Sequence, residues 1–182
     1  MTGELGYSLP PAIRRISKNF RIAGWASFWC QIVIGVISTL LFLINALAQE
    51  NNLSNPGSDF FQAAGIVIVF ISAAWGFRYV QVGRKLRSTD PNLRPKPRDA
   101  GRAVRLGTII SMVGMLLTLF AAQAIVALVW LQALSQVNNN NINFKPINAV
   151  EIAVIFSAVN TMFAHFIGLC ASLWLNYVVD RS

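Results

Sequence analysis

"SAVNTMFAHFIGLCASLWL", Ser157 to Leu175, runs for nineteen residues without a formal charge, yet it carries Asn160, Thr161, His165 and Cys170. A helix rises about 1.5 Å per residue, and crossing a hydrocarbon core takes about 20 apolar residues. The stretch therefore has membrane length. Its polar side chains must then face other helices rather than lipid, which makes the fold a helical bundle. His165 is the single histidine of the chain, so the same stretch also holds the main candidate for a site.

Composition extends this reading to the whole chain. Of 182 residues, 55% are hydrophobic and only 12% are charged, against about 25% in soluble domains. Four uncharged segments stand out, Ile22–Gln49, Phe60–Phe77, Leu106–Leu134 and Ile152–Val179. The second is short, but Arg78 can snorkel and let the helix continue through Tyr79, Val80 and Val82. Ala46-Leu47-Ala48 has the form of a signal cleavage site, but the apolar stretch before it far exceeds the 7–15 residues of a signal core. The first helix is therefore expected to be retained.

Charge placement predicts the orientation. Of fifteen Lys and Arg residues, four precede the first helix, nine lie from Arg78 to Arg105, and Arg181 follows the last helix. Only Lys145 falls on the opposite side. Short basic loops stay cytoplasmic, so the termini and the central loop are expected inside. Trp25, Phe28, Trp29, Trp75, Phe77, Tyr79, Trp174 and Tyr177 then mark the inner interface, and Trp130 the outer one. This asymmetry explains the net charge of +8 without nucleic acid.

The expected fold class is all-α: an antiparallel bundle of four transmembrane helices, both termini inside, preceded by a short interfacial amphipathic helix. One membrane domain, 1–182, divides into a cytoplasmic segment 1–21, spans 22–48, 60–82, 106–134 and 151–178, a basic loop 83–105 and an outer loop 135–150. The amphipathic helix is read from "PPAIRRISKNFR", where Ile13, Ile16 and Phe20 share helical spacing. The basic loop contains Pro91, Pro95 and Pro97 and is expected to be largely extended. Its Arg84, Lys85, Arg87, Arg94, Lys96 and Arg98 either enforce topology only or also dock anionic lipid or an acidic partner. Asn52-Leu53-Ser54 matches a glycosylation sequon, and the stretch around Asn138 to Asn141 reads as a solvated connection.

Small and polar residues form stripes within the spans. Ser157, Thr161, His165, Gly168, Ser172 and Asn176 follow one face of the last helix. Gly24, Ser27, Gln31, Gly35, Ser38 and Asn45 do so on the first, and Gly107, Ser111, Gly114, Thr118 and Ala121 on the third. The second is sparser, with Gly65, Ser72, Gly76 and Gly83. Lipid gives helices no hydrophobic reason to associate, so such faces bind by close approach and interhelical hydrogen bonds. His165 is accordingly read as a hydrogen-bonding group in a helix seam, with a metal ligand or proton acceptor as the functional alternative. Gln31, Asn160, Thr161, Gly168 and Ser172 join it as packing or pathway candidates. Cys30 reads as a packing residue, and Cys170 lies about 140° round the helix from His165.

Nothing resembles an enzyme signature: there is no G-x-S-x-G, no H-E-x-x-H and no phosphate loop. Cys30 and Cys170 fit neither a disulfide framework nor a zinc motif. No catalytic residue and no resident cofactor are expected.

Three stretches carry a family resemblance: "FRIAGWASFWCQIVIGVIS", "AAWGFRYVQVGRKLR" and "AVNTMFAHFIGLCASLWL". Together they resemble the chloroplast inner-envelope translocon component of twenty-one kilodaltons (permease in chloroplasts) and its cyanobacterial homologues. The resemblance implies a four-helix membrane protein in protein import or iron permeation, with iron as a transported ion. Its cyanobacterial relatives imply an alternative, an accessory factor in assembly of photosynthetic complexes. The partners implied are photosynthetic or translocation machinery, or further copies in a homo-oligomer. Without a plant-type transit region, the chain is expected to be a cyanobacterial member, in thylakoid or plasma membrane. One histidine, two cysteines and no central acid make a poor iron pathway within one protomer.

Overall fold

Helix-forming apolar runs interrupted by proline set the element boundaries. The computed structural model describes residues 10–47, 56–88, 90, 94–138 and 149–181. Four helices fill these ranges: α1 (Pro11–Leu47), α2 (Pro56–Lys85), α3 (Pro97–Asn138) and α4 (Ala149–Asp180), with no strand among the described residues. Three of them begin at proline, which suits the first helical position because the missing N–H would have no partner there. At the start of α3 the Lys96 carbonyl accepts from the Asp99 and Ala100 amides, at 2.9 and 3.3 Å. After α2 the ladder tightens, with Arg87 N to Arg84 O at 3.1 Å and Ser88 N to Lys85 O at 3.0 Å. The Arg94 guanidinium then donates to the Ser88 carbonyl at 2.9 Å, tying the connection back on itself.

All four helices are long and apolar enough to cross a membrane. Each is antiparallel to its neighbours around a ring. Ser17 of α1 meets Gly83 of α2, Ser72 of α2 meets Ser111 of α3, and Ser157 of α4 meets Ser38 of α1. Tyr79, Val104 and Leu175 bring α2, α3 and α4 together at the end of the bundle that holds Pro11 and Asp180. Gln62 and Thr161 join α2 to α4 across the diagonal.

The buried face of α1 is inverted relative to a helix of a soluble protein. Buried positions of α1 are Ser17, Phe20, Gly24, Ser27, Gln31, Gly35, Ser38 and Asn45, while Val33, Leu40, Leu43 and Ile44 face outward. Outward Phe120, Phe156, Phe163 and Phe166 do the same on α3 and α4. Lipid accepts such side chains without cost, so packing selects small residues for the inside.

Several sequence-based boundaries move. The expected short interfacial helix is not separate, because Pro11–Phe20 continues unbroken into α1, a helix of 37 residues. No glycine or proline interrupts Ala12–Ala23, and Phe20 is fully buried against α2, α3 and α4, so the segment joins the bundle. The basic loop shrinks likewise. From Pro97 to Arg105 it is helical, the first turns of a 42-residue α3. At about 1.5 Å per residue that helix far exceeds a hydrocarbon core, and its charged turns project beyond it. The sequon at Asn52, Lys145 and the run Asn139 to Asn141 lie outside the described residues.

Candidate functional site in the polar seam

Close packing comes first, because glycines decide which helices can touch. A Cβ at Gly24 would lie 2.7 Å from the Gly76 carbonyl oxygen and 2.9 Å from the Val80 amide. These are backbone atoms and cannot turn aside. At Gly83 a Cβ would stand 2.9 Å from the Ser17 carbonyl oxygen, and the Ser17 hydroxyl donates to the Gly83 carbonyl at 2.6 Å. The α1–α2 contact is thus set by bare backbone.

Between the helices lies a ladder of polar side chains. Nearest the terminal end, the Tyr79 and Ser172 hydroxyls share a hydrogen bond of 2.9 Å, and Gly107 makes room for the phenol. Tyr79 meets Phe20 edge to face, with ring centroids 6.2 Å apart. Two turns along, Gln31 donates from Nε2 to Ser72 Oγ at 3.0 Å and to the Ala164 carbonyl at 3.2 Å. Ser72 in turn bonds Ser111 at 3.2 Å. All four helices therefore meet at one level, and Gly168 packs directly on Gln31, Ser111 and Ser72.

His165 forms the next level. Its Nε2 lies 3.1 Å from the Gly65 carbonyl oxygen, and the ring packs on Gly114. A carbonyl only accepts, so the neutral ring carries its proton on Nε2 and keeps a lone pair on Nδ1. Nδ1 is buried with no hydrogen-bond partner among the described residues.

Beyond it, Gln62 donates from Nε2 to Ser157 Oγ at 3.1 Å and Thr161 Oγ1 at 3.2 Å. Both hydroxyls have already spent their protons, Ser157 on the Ser38 carbonyl at 2.8 Å and Thr161 on the Ser157 carbonyl at 2.7 Å. The amide orientation is thereby fixed, and Gln62 Oε1 is left without a partner, as is Gln31 Oε1. In a low-dielectric interior each unpaired acceptor costs about 1–3 kcal/mol. The seam specifies register at some expense in stability.

Of the sequence candidates, Gln31, Thr161, His165, Gly168 and Ser172 all lie in this seam. Asn160 does not: it is half-buried beside the line, and Asn176 turns to Asp180 at 3.0 Å. Cys30 and Cys170 are exposed on outer faces, so neither packs inside nor approaches His165. No group of three or more His, Cys, Asp or Glu side chains converges among the described residues. Tyr79 is buried inside the bundle, whereas Trp75 is half-buried and donates to the Ala103 carbonyl at 2.8 Å. Arg78 lies over the Trp75 ring, 4.6 Å from its centroid.

Sequence reasoning passed over Gln62 and Ser58, both buried. Their signal was present: positions 58, 62, 65, 69, 72, 76, 79 and 83 advance by three or four. Among the basic candidates, Arg84, Lys85, Arg87, Lys96 and Arg98 are exposed and Arg94 is half-buried.

Residues 10–180, from the start of α1 to the end of α4, match the family described as "Protein of unknown function (DUF3611)". The chain belongs to that family. It is also 28% identical over 170 residues to "Protein TIC 21, chloroplastic" of Arabidopsis thaliana, covering 90% of this chain. The chain spans 57% of that relative's length. No solved structure matches. Four membrane-length helices, all within the span of the family match, make the chain an integral membrane protein.

Proposed function

We propose that the chain acts in membrane transport or translocation as one component of a larger assembly, not as a pore within a single protomer. The likeness to Protein TIC 21 supports the first half. The filled seam supports the second: Gly168 packs on Gln31, Ser72 and Ser111, and Gly114 on the His165 ring, so side chains occupy the bundle axis. A path for protein or iron then lies where outer helix faces meet partner subunits or further copies. His165 is enclosed in its own bundle, which keeps the His165 rings of neighbouring copies apart. We therefore assign it to helix pairing ahead of metal binding. Iron enters this reading as cargo, and no catalytic residue is assigned.

The proposed orientation places both termini and the connection between α2 and α3 on the cytoplasmic side, in a cyanobacterial thylakoid or plasma membrane. Clustering of Lys and Arg at that end supports it. Lipid and the α2–α3 cations supply the membrane contacts, with no nucleic acid involved.

The experiment is reconstitution. Purified chain in liposomes is expected to show no iron uptake above empty vesicles, whereas native vesicles lose uptake when the chain is depleted. Uptake by the isolated chain that His165→Ala abolishes would overturn the closed-protomer reading. The same filled axis also suits a non-transporting accessory factor for photosynthetic complexes. A pull-down in mild detergent separates the two, because an accessory factor brings down assembly intermediates and a transport component brings down translocation subunits or itself.

A further inference from the structure

The terminal end of α1 carries two adjoining hollows of different chemistry. One is a cavity of about 610 Å³ lined by Arg14, Lys18, Arg21 and Arg87 over Ile22 and Trp25. Four cations, and no acidic side chain among the described residues, line it. Arg21 Nε is buried without a hydrogen-bond partner among the described residues, so a donor there is still available. The other hollow, of about 300 Å³, lies between α1 and α4, where Ala23, Ala26, Cys30, Ile167, Ala171 and Trp174 form an apolar groove. Ile22 belongs to both hollows and is exposed.

Their depths match a lipid. Ile22 opens the first uncharged segment, so Arg14, Lys18 and Arg21 stand at headgroup level. From Ile22 the groove descends to Cys30, eight residues or about 12 Å along the helix, into the acyl region. A free anion would use only the upper cavity, and a neutral lipid only the groove.

We propose that this paired hollow binds one anionic phospholipid, its phosphate among Arg14, Lys18, Arg21 and Arg87 and one acyl chain across Ile22 into the α1–α4 groove. The site differs from the α2–α3 cations in resting on α1, with Arg87 closing it from the connection. It does not depend on the transport reading, since any membrane role of the chain would place this end at a bilayer surface.

Native mass spectrometry of the full chain from detergent, with equal phosphatidylglycerol and phosphatidylcholine, tests it. One phosphatidylglycerol is expected to be retained preferentially, and millimolar inorganic phosphate should not displace it. Arg14→Gln with Lys18→Gln, both exposed, should lower retention about tenfold, since each cation near an anionic surface contributes substantially. Arg15→Gln with Arg181→Gln removes the same charge from another hollow and should leave retention intact. Ala26→Trp, which fills the groove without altering charge, should also lower it. Equal retention of both lipids, or equal loss from both double variants, would overturn the site. Displacement by inorganic phosphate, or full retention by Ala26→Trp, would reduce it to an anion pocket and overturn the lipid assignment.

Discussion

His165 Nε2 lies 3.1 Å from the carbonyl oxygen of Gly65, joining α4 to α2 across the bundle diagonal. That contact converts the chain's one histidine into a pairing element. His165→Ala would leave the Gly65 carbonyl unpaired and open a cavity where the ring had been. A loss of about 2–4 kcal/mol is expected. Thermal unfolding in detergent reads it, and an unchanged midpoint would show that the ring is not engaged as described.

Glycine substitutions separate packing from propensity. Gly114→Ala places a methyl group into the His165 ring and should destabilise by about 1–3 kcal/mol. Gly101, also in α3, has nothing within 4 Å of a new Cβ. Gly101→Ala should therefore stabilise by about 0.5–1 kcal/mol through helix propensity alone. The two unfolding midpoints should move in opposite directions.

At the α1–α2 crossing the obstacle is backbone. Gly24→Ala sets a Cβ 2.7 Å from the Gly76 carbonyl oxygen, so the helices must part and the Ser17–Gly83 hydrogen bond lengthens with them. Disulfide trapping between cysteines placed on the outer faces of α1 and α2 should slow in this variant. An unaltered trapping rate would mean that the crossing tolerates a side chain.

Gln31 tests whether donor identity matters. Gln31→Glu replaces the donating amide with an acceptor facing the Ala164 carbonyl, so it should destabilise more than Gln31→Met, which keeps volume and makes no hydrogen bond. The Met variant should cost about 1–3 kcal/mol for two lost interhelical bonds. Equal midpoints for the two would contradict the assigned amide orientation.

Helix number and inner faces were legible because both depend on local pattern. Membrane length shows in uninterrupted apolar runs, and three-four spacing marks Gln31, Ser111, Thr161 and His165 as inward. Helix ends were not. Charge reads as a border at Leu106, yet charged residues such as Arg98 and Arg102 belong to the same helix. Tyr79 reads as one of the interfacial aromatics and also fits the stripe of Ser72, Gly76 and Gly83. Its hydrogen bond to Ser172 puts it on the inward stripe, which its residue type alone does not show. Pairings such as Gln62 with Ser157 and Thr161 depend on the relative register of two helices, and no single helix encodes that.

The central claim is that the chain serves cargo movement through an assembly in which its own bundle stays closed. Its most direct test is cargo entry into native membrane vesicles, measured with radiolabelled iron and with a labelled precursor protein, before and after depletion of the chain. Entry of one cargo should fall on depletion and return when the wild-type chain is restored. Undiminished entry of both, with photosynthetic complexes failing to assemble, would contradict it.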